Sequence, residues 1–348
     1  MINIKSIDKK MLWLDGVLIV LVLLVALSFL SGPKRNAVQE EFPVLTGDYL
    51  GQKPPGTRAE IFAPGILSTA LYERDTTISP DGKEFYFSVL VGNRGFIVVS
   101  KQEDGRWSKP EIASFSGKYS DLEPALSPDG KKLFFTSRRP LSGEGVPKDD
   151  YDIWVVDRVG DDWGEPRNPG PPLNSTENEF YPSVTKDYSV YFTAALPVSI
   201  GGEDIFLSRF VDGKYSPPEN PGSAINTEGG EFNAYIAPDE SFIIYTTTGR
   251  EKGLGASDLW INFRQPDGAW SKAVIMGEKV NSPALDYSPS VSPDGKYLFF
   301  TSERGKISSF SQNSPGYDFL LNMSQGCSNG NGDLYWVSTE IFEQLKNQ

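Results

Sequence analysis

The chain has 348 residues, enough for one large domain or two ordinary ones, and 39% hydrophobic with 12% aromatic residues can form a sizeable core. It contains no histidine and one cysteine, Cys327, which excludes Ser-His-Asp and Cys-His catalysis, imidazole-bound metals and an intramolecular disulfide. The net charge is −13 overall and −16 beyond residue 35, so no nucleic-acid partner is expected, because phosphates would be repelled.

The first predicted element is an apolar run, Gly16 to Leu30, preceded by three lysines. As a helix it spans about 22 Å, or about 28 Å counted from Leu12, against roughly 30 Å for a bilayer core. We expect an uncleaved signal anchor or a removed signal peptide within 1–35, followed by a linker at 36–58. Either one places the body on the periplasmic or extracellular side of a cell envelope, secreted if the signal is cleaved. The lack of disulfides favours a bacterial envelope.

The body is predicted to be a repeat, because two stretches more than 160 positions apart are nearly identical: "LSPDGKKLFFTSRR" and "VSPDGKYLFFTSER". Three weaker copies bring the number to five, with spacings of 48 to 58 residues, typical of propeller blades or solenoids. The copies start at Ile78, Leu126, Val184, Ile236 and Val291.

Each copy carries an Asp-Gly-type turn, an alternating aromatic strand, a third strand such as "DIWVVD", and a fourth element with Trp or Tyr. Four strands per unit predict an all-β fold, a single β-propeller over 59–348. The fifth unit lacks its fourth strand, and "AEIFAPGIL" at 59–67 is expected to supply it and close the ring. Five blades are predicted, and six are the alternative if residues 36–70 form more than one strand. The units are expected near 73–117, 120–173, 178–225, 230–280 and 286–340.

The Ser-Pro-Asp-Gly-Lys turn before an aromatic strand, with Asp-Ile/Leu-aromatic on the third strand, resembles the TolB-like β-propeller repeat family over roughly 59–340. The resemblance implies a periplasmic or surface protein that acts as an interaction platform. Similar blades cover the active site of prolyl oligopeptidase-type peptidases, but the catalytic domain and its histidine are absent here. The third and fourth copies depart from the pattern with "TKDY" and "APDE", which leaves their turn type open.

One acidic position precedes the turn in every unit, at the start of the innermost strand. A ring would place these five carboxylates around one mouth of the central channel. They are candidates for binding a cation or a basic partner segment, for hydrogen bonds that join one blade to the next, or for glycosidase chemistry, which requires two carboxyl groups in unequal environments. These column acids are Glu73, Asp121, Glu179, Glu231 and Asp286.

A second acidic column opens the third strands and is expected to cap the preceding loop, except in the first unit, where Arg94-Gly95 stands instead. Its members are Asp152, Asp204, Asp258 and Asp333. Aromatic residues on the outer strands are expected to pack between strands and blades. The fifth unit also contains a long insertion, Glu303 to Gly332, with an apolar patch "YDFLLNM" that is expected to be a short helix, a rival third strand or a partner surface.

The sequence therefore predicts a non-enzymatic, membrane-tethered propeller that binds an envelope protein or a glycan partner. No cofactor is expected, apart from a calcium ion that would stabilise the propeller. A carbohydrate-binding or glycosidase-type propeller that uses the column acids is the alternative.

Overall fold

The computed structural model describes residues 42–305 and 316–346, which form a five-bladed β-propeller of antiparallel sheets. The predicted N-terminal hydrophobic helix lies outside the described residues. Among the described residues, no helix has the length and apolar character needed to cross a bilayer. The five blades confirm the predicted fold class and exclude six.

The first two blades follow the predicted order, from the innermost strand outward. Blade 1 contains β2 (Tyr72–Ile78), β3 (Glu84–Val91), β4 (Arg94–Glu103), β5 (Arg106–Trp107) and β6 (Glu111–Ile112). Blade 2 contains β7 (Asp121–Leu126), β8 (Lys132–Ser137), β9 (Asp152–Val159) and β10 (Asp162–Trp163).

The other three blades repeat this arrangement with small differences at the outer edge. Blade 3 contains β11 (Phe180–Val184), β12 (Val190–Ala194) and β13 (Asp204–Ser208), with the separate hairpin β14 (Phe210–Val211) and β15 (Lys214–Tyr215). Blade 4 contains β16 (Gly230–Ile236), β17 (Phe242–Thr248), β18 (Asp258–Phe263) and β19 (Val274–Ile275). Blade 5 contains β20 (Asp286–Val291), β21 (Tyr297–Ser302), β22 (Asp333–Ser338) and β1 (Glu60–Ile61).

The ring is closed by the N-terminal strand, as the sequence predicts. In β1, Glu60 pairs with Trp336 and Ile61 with Tyr335 of β22. Phe62 follows directly, is fully buried, and packs its ring 5.0 Å from Trp336 and 5.1 Å from both Phe85 and Phe299. Phe85 belongs to blade 1, so one aromatic side chain joins the closing strand to the first blade and the last.

Part of the expected linker belongs to the propeller. From Val44 onward the chain is in one compact unit with the blades. Leu45 O accepts a hydrogen bond from Trp107 N at 2.9 Å, and Leu50 is buried in the core cluster that contains Phe62. A single-turn 3-10 segment lies here, Asp48–Gly51. The linker prediction for 36–58 therefore differs from the structure at 44–58, because apolar residues there find a place against blades 1 and 5.

The turn after the innermost strand has the same form in all five blades. Glycine takes the left-handed conformation in blades 1, 2 and 5, with φ of 70° to 73°. Tyr188 and Glu240 occupy this position in blades 3 and 4, with φ of 65° and 58°. Tyr188 Oη donates to Asp129 Oδ2 at 2.6 Å, and Glu240 accepts from Arg209 Nη1 at 2.9 Å, so each side chain contacts the preceding blade and offsets its backbone strain.

The insertion of blade 5 contains the short helix α1 (Tyr317–Met323), and the third strand is β22, so the patch "YDFLLNM" does not compete for the third-strand position. No residue of α1 is buried, and Tyr317 is 74% exposed. A second helix, α2 (Glu340–Leu345), buries Ile341, Phe342 and Leu345 against blades 4 and 5.

Candidate functional site

The five column acids are buried at the inner ends of the connections between blades, each at most 1% exposed. Four of them accept hydrogen bonds from both the backbone N–H and the hydroxyl of the residue four positions earlier. The pairs are Glu73 with Thr69, Glu179 with Ser175, Glu231 with Thr227 and Asp286 with Ser282. Their carboxylates therefore fix the conformation of the connection that leads into each inner strand.

The same four residues join neighbouring blades through the backbone. Each N–H donates at 2.9–3.1 Å to the carbonyl of the residue that precedes the second-column aspartate of the previous blade. The acceptors are Gly332, Tyr151, Glu203 and Ser257. A column acid and a second-column aspartate thus lie side by side at four of the five junctions. The expected loop caps are present at Asp204 and Asp258, which accept backbone N–H groups of the preceding loop.

Two column acids are neutralised by an arginine of their own blade. Arg139 Nη2 lies 3.0 Å from Asp121 Oδ1 and is 7% exposed, and Arg304 Nη2 lies 2.5 Å from Asp286 Oδ1. These arginines end the two nearly identical stretches of the sequence, "TSRR" and "TSER". The repeated arginine therefore has a structural role, because a buried carboxylate without a partner is costly.

The three glutamates among the column acids have raised pKa values. Burial raises the pKa of Glu73 to about 7, and the charge of Asp333 raises it further. Burial likewise raises the pKa of Glu179 to about 7, with an added contribution from Asp152. The pKa of Glu231 is also raised by burial. These carboxyl groups are thus part of the propeller's interior. Ligand binding by them stays a prediction.

A second ring of residues lies two positions further along each inner strand. Every inner strand has a β-bulge there, and the bulged residue has a positive φ between 49° and 59° although none is glycine. All five residues are at most 6% exposed. This inner ring consists of Asp75, Glu123, Tyr181, Asn233 and Ser288.

Blades 1 and 2 place a charged cluster within the inner ring. Arg74 Nε lies 2.8 and 2.7 Å from the two oxygens of Asp75, and its Nη2 lies 3.1 Å from Glu123 Oε1. Ser288 Oγ donates to Asp75 at 2.6 Å, and the Tyr181 N–H donates to Glu123 Oε2 at 2.7 Å. One guanidinium therefore faces two carboxylates, and the cluster carries an excess negative charge when both are ionised.

Glu123 is the carboxyl group of this cluster that has a raised pKa. Burial and repulsion by Asp75 raise the pKa of Glu123 to about 7, against the opposing effect of Arg74. Asp75 keeps both oxygens in contact with Arg74. The two carboxyl groups are thus in unequal environments although they lie beside the same guanidinium group.

An axial cavity of about 290 Å³ adjoins this cluster and receives residues from the inner strands of all five blades. Glu123 and Tyr181 lie at its inner end, and the prolines of four inner turns lie at its outer end with Lys186. Its walls combine proline rings such as Pro182 with hydroxyl groups such as Thr77. Two of the five inner-ring residues, Glu123 and Tyr181, therefore belong to the cavity wall.

The sequence patterns did not identify the residues of the axial cavity directly, but they identified positions close to them. None of the five column acids lines the axial cavity, whereas Glu123, two positions from Asp121, does. The signal was present in the repeat itself, because the position two beyond the column reads Asp, Glu, Tyr, Asn and Ser. A position that differs in every blade is not required by blade packing, and such positions are where a repeat carries a specific site.

Within the described residues, no group of three or more Cys, Asp or Glu side chains is arranged to hold a metal ion. Calcium stabilisation stays a prediction. Cys327 is a partly exposed free thiol.

The chain matches no protein-family model, and no curated protein sequence matches it. Several solved structures are similar at low identity. TolB from Acinetobacter baumannii has 18% identity over 76% of this chain and 54% of that chain, with a TM-score of 0.43. A glycoside hydrolase has 11% identity over 84% and 92%, with a TM-score of 0.49. An alpha-L-arabinofuranosidase from Lactobacillus brevis has 13% identity over 78% and 91%, with a TM-score of 0.43. This chain spans about half the length of the TolB chain, and the propeller assignment rests on the sheet topology.

Proposed function

We propose that this chain is a non-enzymatic, TolB-like binding module of the cell envelope that holds a segment of a partner protein in its axial cavity. The observation that carries the proposal is a cavity lined by residues from all five inner strands, with Glu123 and Tyr181 of the inner ring in its wall. A cavity of about 290 Å³ is at the small end of ligand sites, and it suits a chain end or a few side chains.

The chemistry of the lining supports a peptide occupant. Tyr235 and the proline rings offer apolar surface, while Thr77, Ser183 and the exposed Lys186 offer hydrogen-bond donors close to it. Thr77 and Ser183 hydroxyl oxygens already accept backbone N–H groups of the next blade, so their own O–H protons are free to be donated. Alternating apolar and polar contacts of this kind match an extended segment.

The apolar run near the N-terminus supports tethering at a membrane, with the propeller on the outer side of it. The acidic body supports a protein or glycan partner over nucleic acid. The proposed partner is therefore another envelope component.

Site-directed photocrosslinking tests this function. A benzophenone amino acid replaces Lys186 at the cavity or, as a control, the exposed Lys109, which is not part of the cavity. The expected result in intact envelopes is a discrete crosslinked protein from position 186 alone, with the attachment mapped by mass spectrometry. The same products from both positions, or none from position 186, would argue against the proposal.

A second candidate, a carbohydrate-active propeller, is favoured by one observation: Asp75 and Glu123 lie beside one arginine in unequal environments. A general acid with a raised pKa next to an ionised carboxylate is the arrangement that glycoside hydrolysis needs. Screening a panel of oligosaccharides tests it. Turnover that Glu123→Gln abolishes and the exposed control Glu165→Gln retains would support this function, and a panel without binding or turnover removes it.

A further inference from the structure

The junction between blades 2 and 3 brings two buried carboxyl groups together. The Glu179 N–H donates to the Tyr151 carbonyl at 2.9 Å, which places Glu179 beside the next residue, Asp152. Asp152 is 1% exposed and Glu179 is fully buried. Two carboxylates that are buried this deeply repel each other unless a cation or a proton lies between them.

The hydrogen bonds of this pair leave one oxygen on each side unaccounted for. Asp152 Oδ2 accepts from Lys148 Nζ at 2.5 Å and from Asn168 Nδ2 at 2.9 Å, while Oδ1 has no donor. Glu179 Oε1 accepts from the N–H of Ser175 at 3.1 Å and from its hydroxyl, while Oε2 has no donor. Buried polar atoms without partners are rare, and each one requires an explanation.

We propose that Asp152 and Glu179 form a proton-binding site, in which Glu179 Oε2 carries the proton and donates it to Asp152 Oδ1. One O–H···O bond then satisfies both orphaned oxygens at once. The Lys148 ammonium group on Asp152 keeps the negative charge there, which assigns the proton to Glu179. The protonated junction holds the carboxylates of Asp152 and Asp150 against the Lys148 ammonium group, and loss of the proton adds a third carboxylate, that of Glu179.

The surrounding charges agree with this assignment. Burial raises the pKa of Glu179 to about 7, and the negative charge of Asp152 adds to this effect. Burial also raises the pKa of Asp152, while Lys148 opposes this and Asp150, itself 2.9 Å from Lys148 Nζ, adds to it. Lys148 and Asp150 are the charged groups that act on the pair, and Lys148 has the larger effect on Asp152. The site therefore retains its proton at mildly acidic pH and releases it around neutrality.

The next junction provides a matched control. Its pair, Asp204 and Glu231, has the same backbone link, but every carboxylate oxygen already has a donor. Gln at position 179 offers an amide N–H to Asp152 Oδ1 and keeps an oxygen for Ser175. Gln at position 231 places an amide N–H donor where an oxygen now accepts from Thr227. One of the two hydrogen bonds from the Thr227 N–H and O–H groups is therefore lost.

Thermal unfolding of the full chain at pH 5.5 and 8 tests the proposal. We expect Glu179→Gln to change Tm by less than about 2 °C at pH 5.5 and to raise it at pH 8, because the amide replaces the proton without titrating. Glu231→Gln is expected to lower Tm at both pH values. Equal losses for the two variants at both pH values would overturn the proposal.

Carbon-13 NMR of the labelled glutamate carboxyl groups gives a direct reading, with the Glu179 signal assigned by its loss in Glu179→Gln. A midpoint above about pH 6 is expected, and a midpoint near the ordinary value of about 4.3 contradicts a retained proton. A melting temperature at pH 8 that falls with EDTA and recovers with Ca²⁺ in the unaltered chain, but not in Glu179→Gln, also overturns the proposal, since a metal ion would then occupy the junction.

Discussion

Acidic residues two positions apart have different roles in this protein. The position of Asp121 is acidic in every blade, and the Asp121 carboxylate accepts hydrogen bonds from the hydroxyls of Ser116 and Ser137 and from Arg139. At the position of Glu123, blade 1 alone also has an acid, Asp75, and of these two only Glu123 lines the axial cavity. A position that is acidic in every blade stabilises the blade structure, whereas a position that differs between blades contributes to the cavity that the blades share.

The buried pair of Asp121 and Arg139 gives a prediction at this scale. Arg139→Met removes the cation and leaves Asp121 buried without a counter-charge, so we expect a loss of about 3–5 kcal/mol in the free energy of unfolding. The control is Lys118→Met, which removes the exposed ion pair with Glu144 and should leave the stability almost unchanged, because water screens that pair. Urea unfolding of both variants measures the difference. Equal losses would show that Asp121 does not depend on its arginine.

At the scale of strands, the closing element is short and depends on side-chain packing. The strand β1 has two paired residues, and its pairing alone gives little stability. Phe62 adds aromatic contacts to blades 1 and 5, and Tyr49 extends the same cluster with its ring 5.7 Å from Trp336. The ring is therefore held closed by an aromatic cluster that spans the seam between its two ends.

Phe62→Ala tests that role. We expect a loss of about 3–5 kcal/mol in the free energy of unfolding, since a fully buried aromatic ring is removed. We also expect aggregation, because the edge of β22 becomes accessible. The control Ile112→Ala truncates a side chain that is 54% exposed on the edge strand β6 and should have little effect. Urea unfolding and size-exclusion chromatography measure both results, and a monomeric, fully stable Phe62→Ala variant would contradict them.

The sequence predicted the strands, the turns and the closing strand, because repeated turn residues and alternating aromatics encode them locally. It did not predict the bulges of the inner strands. Glycine is the usual signal for a positive φ, whereas residues such as Asp75 and Tyr181 take that conformation here. Their backbone is held by contacts between blades, for example Tyr181 N–H to Glu123 Oε2. No local pattern contains that information.

Over the whole molecule, two sets of acidic side chains determine the pH at which the propeller is most stable. The aspartates of the five inner turns have lowered pKa values, chiefly through hydrogen bonds from turn hydroxyl and N–H groups that outweigh partial burial. Their contribution is present above the unfolded pKa and is lost as the pH falls through the folded value. Glu73, Glu123 and Glu179 have pKa values raised to about 7. Their contribution is full below the unfolded value and is lost as the pH rises towards 7.

The propeller should therefore be most stable near pH 5 and lose stability between about pH 5 and 7.5. Each raised glutamate contributes up to about 3 kcal/mol to this loss. Thermal unfolding at constant ionic strength across pH 4 to 8 measures the profile. A melting temperature that is flat or rises from pH 5 to 7.5 would contradict the buried, protonated state of these residues.

The pairing of β1 with β22 also limits the order in which the propeller can fold. Glu60 and its partner Trp336 are more than 270 positions apart, so the first strand of the chain cannot pair until the last strand is present. Blades 1 to 4 can assemble before the C-terminal strand is available, but the ring cannot close until β22 has followed them. Until then Phe62 lacks its contact with Trp336, so an apolar surface at the N-terminal end stays open to aggregation or to binding by a chaperone.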